Sequence, residues 1–81
     1  SLGRAAPTAR AILMLMQQRP ILTIAKAAAL SETTFPTASS ALANLESLGL
    51  IKEISGKQRG RIYAYQAYLD ILNEGAEPLP R

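Results

Sequence analysis

The chain has 81 residues, with nine Lys and Arg, six Asp and Glu, no cysteine and no histidine. It is therefore one small domain that has no disulfide, no thiolate or imidazole metal ligand and no histidine for acid–base chemistry. Its 48% hydrophobic content favours a folded globule over a disordered segment, yet the longest apolar run, Ala11–Met16, falls far short of the roughly 20 residues that span a bilayer.

Residues 1–7, Ser1-Leu2-Gly3-Arg4-Ala5-Ala6-Pro7, read as a linker, and a start on serine suggests a piece of a larger protein. The folded core is expected over residues 8–75. Thr8 caps a first helix, in which Ala9, Ile12, Leu13 and Met16 recur at helical spacing and form one apolar face. Met14 and Leu15 point away from that face. Pro20 ends the helix, because proline disfavours helical geometry in the residue before it.

Ile21 and Leu22 form a short extended link, and Thr23 caps a second helix over roughly Ile24–Leu30, with Ile24, Ala27 and Ala28 inward. Ser31-Glu32-Thr33 is a turn. Thr34 caps a third helix, Phe35 anchors its start by packing, and Pro36 falls in the first turn, where a missing N–H costs nothing. Ala38, Ala41, Leu42, Leu45 and Leu48 make one buried stripe, and Gly49 closes the helix in the left-handed conformation.

The period then changes. Leu50–Ile54 and Arg61–Tyr65 are short strand-like runs around Ser55-Gly56-Lys57-Gln58-Arg59-Gly60, where two glycines can take positive φ. This is a β-hairpin with a basic tip. Lys52, Lys57, Arg59 and Arg61 against Glu53 put the whole net charge of +3 into this one stretch. Tyr65, Tyr68, Leu69 and Leu72 mark a last helix ending near Gly75, and residues 76–81, with Pro78 and Pro80, form a tail.

The expected fold is mainly α with a small β-hairpin, in the order helix, helix, turn, helix, hairpin, helix. The short turn between the second and third helices is the spacing of a helix-turn-helix, which lays its second helix in the DNA major groove. A basic hairpin directly after that helix makes it a winged helix-turn-helix. Thr37, Ser40 and Asn44 line one outward side of the third helix, with Ser39 near the edge, and all four can hydrogen-bond to base edges or phosphates. Thr34 and free N–H groups at the helix start suit a phosphate. Lys57, Arg59 and Arg61 would meet neighbouring phosphates, with Gln58 as a neutral donor. The expected partner is double-stranded DNA. Each feature alone also describes an ordinary soluble helix or a solvated loop, and the third helix carries no Arg or Lys for the bidentate contact to guanine. Glu46 lies near its end, and Glu32 sits in the turn before it. With about three or four phosphate contacts, one copy would bind weakly and with strong salt dependence.

The stretch Thr34-Phe35-Pro36-Thr37-Ala38-Ser39-Ser40-Ala41-Leu42, followed by Asn44-Leu45-Glu46-Ser47-Leu48-Gly49-Leu50-Ile51, resembles a winged-helix recognition helix and its exit. Leu2-Gly3-Arg4, the basic wing leading into Tyr63-Ala64-Tyr65, and Tyr68-Leu69-Asp70-Ile71-Leu72-Asn73-Glu74-Gly75 with Glu77-Pro78 are similar to the C-terminal region of Fic-family proteins. The resemblance implies a multi-domain parent that transfers AMP from ATP through a His-Pro-Phe segment and a Gly-Asn-Gly-Arg loop. Neither motif stands in this chain, so the implied activity lies outside it and the chain itself reads as a non-catalytic C-terminal module without cofactor or metal. Many winged-helix recognition helices carry a basic residue where Ser40 stands here, a departure that weighs against direct base reading.

A second reading is a protein-interaction module that dimerises or docks on its parent, suggested by Met14 and Leu15. A catalytic reading has little to stand on: the carboxylates are scattered, and the serines have no histidine to activate them. The lack of cysteine suits a reducing, cytoplasmic setting, and no membrane contact is expected.

Overall fold

The computed structural model describes residues 5–76. Four helices and three strands follow in the order α1 (Ala5–Gln18), β1 (Ile21–Thr23), α2 (Ile24–Leu30), α3 (Phe35–Ser47), β2 (Ile51–Glu53), β3 (Ile62–Tyr65) and α4 (Gln66–Ala76). The architecture is mainly helical, with one small antiparallel sheet.

The first helix begins earlier than expected. Residues 5–7, read from the sequence as linker, are its first turn, so Thr8 lies inside the helix and does not cap it. Pro7 explains this: its fixed φ suits the first turn, and its missing N–H has no intrahelical partner there in any case. The fourth helix includes Ala76, one residue into the expected tail. The rest of that tail, residues 77–81, and residues 1–4 lie outside the described residues.

Ile21 and Leu22 are more than a link. With Thr23 they form the edge strand β1, and the sheet order is β1-β3-β2. Leu22 faces Tyr63 across the β1–β3 pair, and Glu53 faces Tyr63 from the other side. Backbone bonds extend the pairing, with Tyr65 N donating to Pro20 O at 2.8 Å and Ile54 N to Ile62 O at 2.8 Å.

One core joins the layers. Ile12 and Met16 of α1, Ala27 of α2, and Ala38, Ala41 and Leu42 of α3 are completely shielded, and Leu22, Ile51 and Tyr63 of the sheet close the cluster. Alanines at the helix crossings let α3 approach α1 and α2 closely. Leu48, expected in the buried stripe, is instead 65% exposed. The helix has already ended at Ser47, and Leu48 is its C-cap. Gly49 at φ +79° turns the chain. Gly49 N donates to Glu46 O at 2.9 Å and Leu50 N to Leu45 O at 3.1 Å, the paired bonds of a Schellman motif. Phe35 is also turned outward, at 54% exposure, so it does not anchor the start of α3 by packing.

The α2–α3 turn uses the same device without glycine. Glu32 N donates to Ala29 O and Thr33 N to Ala28 O, with Glu32 itself at φ +57°. An L residue with a side chain in this region costs about 1–2 kcal/mol. Glu32→Gly should therefore raise stability by about 1 kcal/mol, less the greater freedom of glycine in the unfolded chain, as measured by urea unfolding; a destabilised variant would show that the Glu32 side chain makes a compensating contact.

Candidate nucleic-acid interface

Burial of Ala38, Ala41, Leu42 and Leu45 decides which side of α3 faces out. Ser40 is exposed, and Thr37, Ser39 and Asn44 are half-buried along the flanks. Thr34 caps the helix as expected: its Oγ1 accepts from Thr37 N at 3.2 Å and donates to Thr37 Oγ1 at 3.0 Å. This changes one expectation. Pro36 has no N–H, Thr37 N is taken by the cap, and Ala38 N donates to Thr34 O at 2.9 Å. The first turn of α3 therefore keeps only the Phe35 N–H for a ligand, not an open set of donors for a phosphate. Phe35 and Pro36 are exposed beside this turn and add an apolar surface to it. Sequence reasoning missed them because an aromatic at a helix start is more often a packing residue.

The basic residues gather in the loop of residues 54–61, between β2 and β3. Lys57, Gln58, Arg59 and Arg61 are all exposed there. Gly56 and Gly60 take φ +67° and +65°, as the hairpin reading requires. The loop is built around one carboxylate. Glu53 Oε2 accepts from Ser55 N at 2.8 Å, from Gly56 N at 2.7 Å and from the Ser55 hydroxyl. Ser55 Oγ in turn accepts from Ile62 N at 3.2 Å and Lys57 N at 3.4 Å, which ties the two sides of the hairpin together. Arg61 Nε donates to Lys57 O at 3.0 Å across the loop. The Arg61 side chain is thus aligned along the tip.

A second carboxylate joins this loop to α3. Glu46 Oε2, in the last turn of α3, accepts from Glu53 N at 3.0 Å. One acidic residue fixes the hairpin base to the helix, and the next one in the chain folds the start of the loop. Neither role was visible in the sequence, where Glu46 and Glu53 only subtracted charge from a basic surface. The partners are seven residues apart and become neighbours only after the Gly49 turn.

Hydrogen bonds from Ser55, then from Gly56, together with the nearby Arg61 charge, hold the Glu53 carboxyl below its usual range despite partial desolvation. Among the described residues, no group of three or more His, Cys, Asp or Glu is placed to hold a metal ion, and no helix is long and apolar enough to cross a membrane. What the surface offers chemically is a row of hydroxyl and amide groups on α3 and a cluster of exposed cations at the hairpin tip.

Compared with known proteins, the chain matches no family model, no curated protein and no solved structure.

Because the folded Glu53 carboxyl is the stronger acid, its contribution to hairpin order is complete above the ordinary carboxylate pKa of 4.5 and is lost as pH falls through the lowered folded value. Amide NMR shifts of Ser55 and Gly56 should therefore move towards random-coil values on acidification below pH 4.5 while the helical core persists. In Glu53→Gln they should be displaced already at neutral pH and show no such titration. Identical behaviour of the two proteins would remove Glu53 as the organiser of the loop.

Proposed function

We propose that this chain is a winged helix-turn-helix module that binds double-stranded DNA. In this reading α2, the turn at residues 31–34 and α3 form the helix-turn-helix, and the β2–β3 hairpin is the wing. The observation that carries it is the Glu46–Glu53 connection: the polar helix and the basic tip belong to one hydrogen-bonded unit, not to two independently moving surfaces. A wing held in this way presents Lys57, Arg59 and Arg61 without first ordering the loop, which lowers the entropic cost of binding.

The division of labour follows from side-chain chemistry. Lys57, Arg59 and Arg61 neutralise phosphates, and Gln58 adds a neutral donor. Thr37, Ser40 and Asn44 offer hydrogen bonds to base edges, with Ser39 and Thr34 contacting the backbone at the margins. Exposed Phe35 supplies an apolar contact of the kind that recognises a thymine methyl. Since α3 has no Arg or Lys, affinity comes mainly from phosphates, and sequence preference is modest.

The chain is also proposed to be the C-terminal regulatory module of a Fic-type parent, on the residues that resemble that family. In that setting the AMP-transferring core lies in another segment, and this module places the parent on DNA. Cytoplasmic action fits this role.

Fluorescence anisotropy with mixed-sequence duplex DNA at two salt concentrations tests the reading. Binding should weaken steeply with salt. Replacing Lys57, Arg59 and Arg61 together by glutamine should weaken it for every duplex and flatten the logarithmic salt slope by about 0.9 for each phosphate that is no longer neutralised. Wild-type affinity and slope in the triple variant, or no binding at low salt by the unaltered chain, would refute it.

A further inference from the structure

Two helices of this chain each keep an outward stripe that no other described residue covers. On α1 the exposed residues Pro7, Arg10, Ala11 and Met14 stand at i, i+3, i+4 and i+7. On α4 the exposed residues Ala67, Asp70, Ile71 and Glu74 repeat the same spacing. Met14 is 63% and Ile71 66% exposed, large values for side chains of this size. Two open grooves of about 480 and 370 Å³ run along α1, both bordered by Ala11 and Met14.

The stripes are opposite in charge. Arg10 is the one charged residue of α1, whereas α4 carries only Asp70 and Glu74. Within the chain the two helices do not cover one another's stripes, since α1 packs chiefly on α3 and more lightly on β3, and α4 makes only a small main contact, with the adjoining strand β3. From this complementarity we infer that the occupant of each stripe is a second copy of this chain, with α1 of one protomer packed against α4 of its partner.

Antiparallel packing makes the match specific. It sets Met14 against Ala67 and Ile71 against Ala11, so that each large side chain meets a small one. Arg10 then falls between Asp70 and Glu74. A two-fold axis that repeats the α1–α4 pair would make the contact isologous. A stable interface buries roughly 800 Å² per partner, so the pairing requires both copies of the α1–α4 contact. Leu15, which the sequence placed beside Met14 on the free surface, packs partly against the core and borders only the smaller groove. The pairing stands independently of DNA binding. Where DNA is bound, it would place two basic hairpins on one particle and multiply the phosphate contacts.

Sedimentation velocity of the 81-residue chain in the absence of DNA tests the pairing. The expected species has twice the 8.7 kDa mass of one chain. Met14→Glu and Ile71→Glu should each raise the dimer Kd at least tenfold, with far-UV circular dichroism unchanged because both sites are exposed. Arg10→Glu should also weaken the dimer, and combining it with Asp70→Lys and Glu74→Lys should restore it. A chain that sediments at 8.7 kDa up to millimolar concentration, or a dimer indifferent to both glutamate substitutions, would overturn the proposal. Sedimentation is read without DNA, and the anisotropy test reads the loss of wing cations at a fixed oligomeric state, so failure of the dimer and failure of DNA binding remain separate outcomes.

Discussion

The burial of one stripe of α3 sets the rest of this molecule. Ala38, Ala41, Leu42 and Leu45 are closed off against α1 and α2, leaving that helix no freedom to rotate about its axis. Three consequences follow from that single constraint. The hydroxyl and amide residues of α3 are turned outward or to the flanks. The helix ends where the stripe ends, at a Schellman turn on Gly49. The chain then re-enters the core two residues later through Ile51, which starts the hairpin at a fixed distance from the helix. Small side chains at the crossing make this possible, since a larger residue at the fully buried Ala38 or Ala41 would overpack the core.

The second organising feature is electrostatic. A basic loop tends to spread, because its like charges repel and its backbone donors prefer water. Here two carboxylates offset both tendencies. Glu46 accepts the backbone N–H at the end of β2, and Glu53 gathers the donors of Ser55 and Gly56. Acidic residues inside a cationic surface thus shape it more than they neutralise it. The exposed cations at the tip keep their charge for an external partner, and the proposed DNA contact draws on that arrangement. The same separation of roles runs through the proposed dimer, where the acidic residues of α4 and the lone cation of α1 lie away from the hairpin.

Much of the helical framework was legible in the sequence, and the reasons are local. Thr23 and Thr34 both cap the helices they precede, and α2 covers the expected residues. Gly49, Gly56 and Gly60 take the positive φ values that their positions suggested. The misreadings share a different origin. β1 has only three residues and depends on a partner some forty positions later, so periodicity had nothing to register. Leu48 fits the stripe by counting but falls past the helix end, and Phe35 faces out although aromatic residues at helix starts usually pack. Of the free N–H groups assigned to the start of α3 only that of Phe35 is left, because Thr37 N goes to the Thr34 cap and Pro36 has none. The hairpin's cations were visible in the sequence, but the carboxylates that hold them were not. Side-chain to backbone bonds of this kind become apparent only when the turn has brought Glu46 and Glu53 together.

The most direct test of the central claim is a two-dimensional NMR titration of the isotope-labelled chain with a short DNA duplex. Shifts should concentrate on the outward residues of α3, from Phe35 to Asn44, and on the hairpin tip from Ser55 to Arg61, with α1's exposed stripe unmoved. Shifts confined to the hairpin would reduce the proposed module to a non-specific phosphate binder. A spectrum that DNA leaves unchanged at low salt would contradict the account and leave α3 as a purely structural helix.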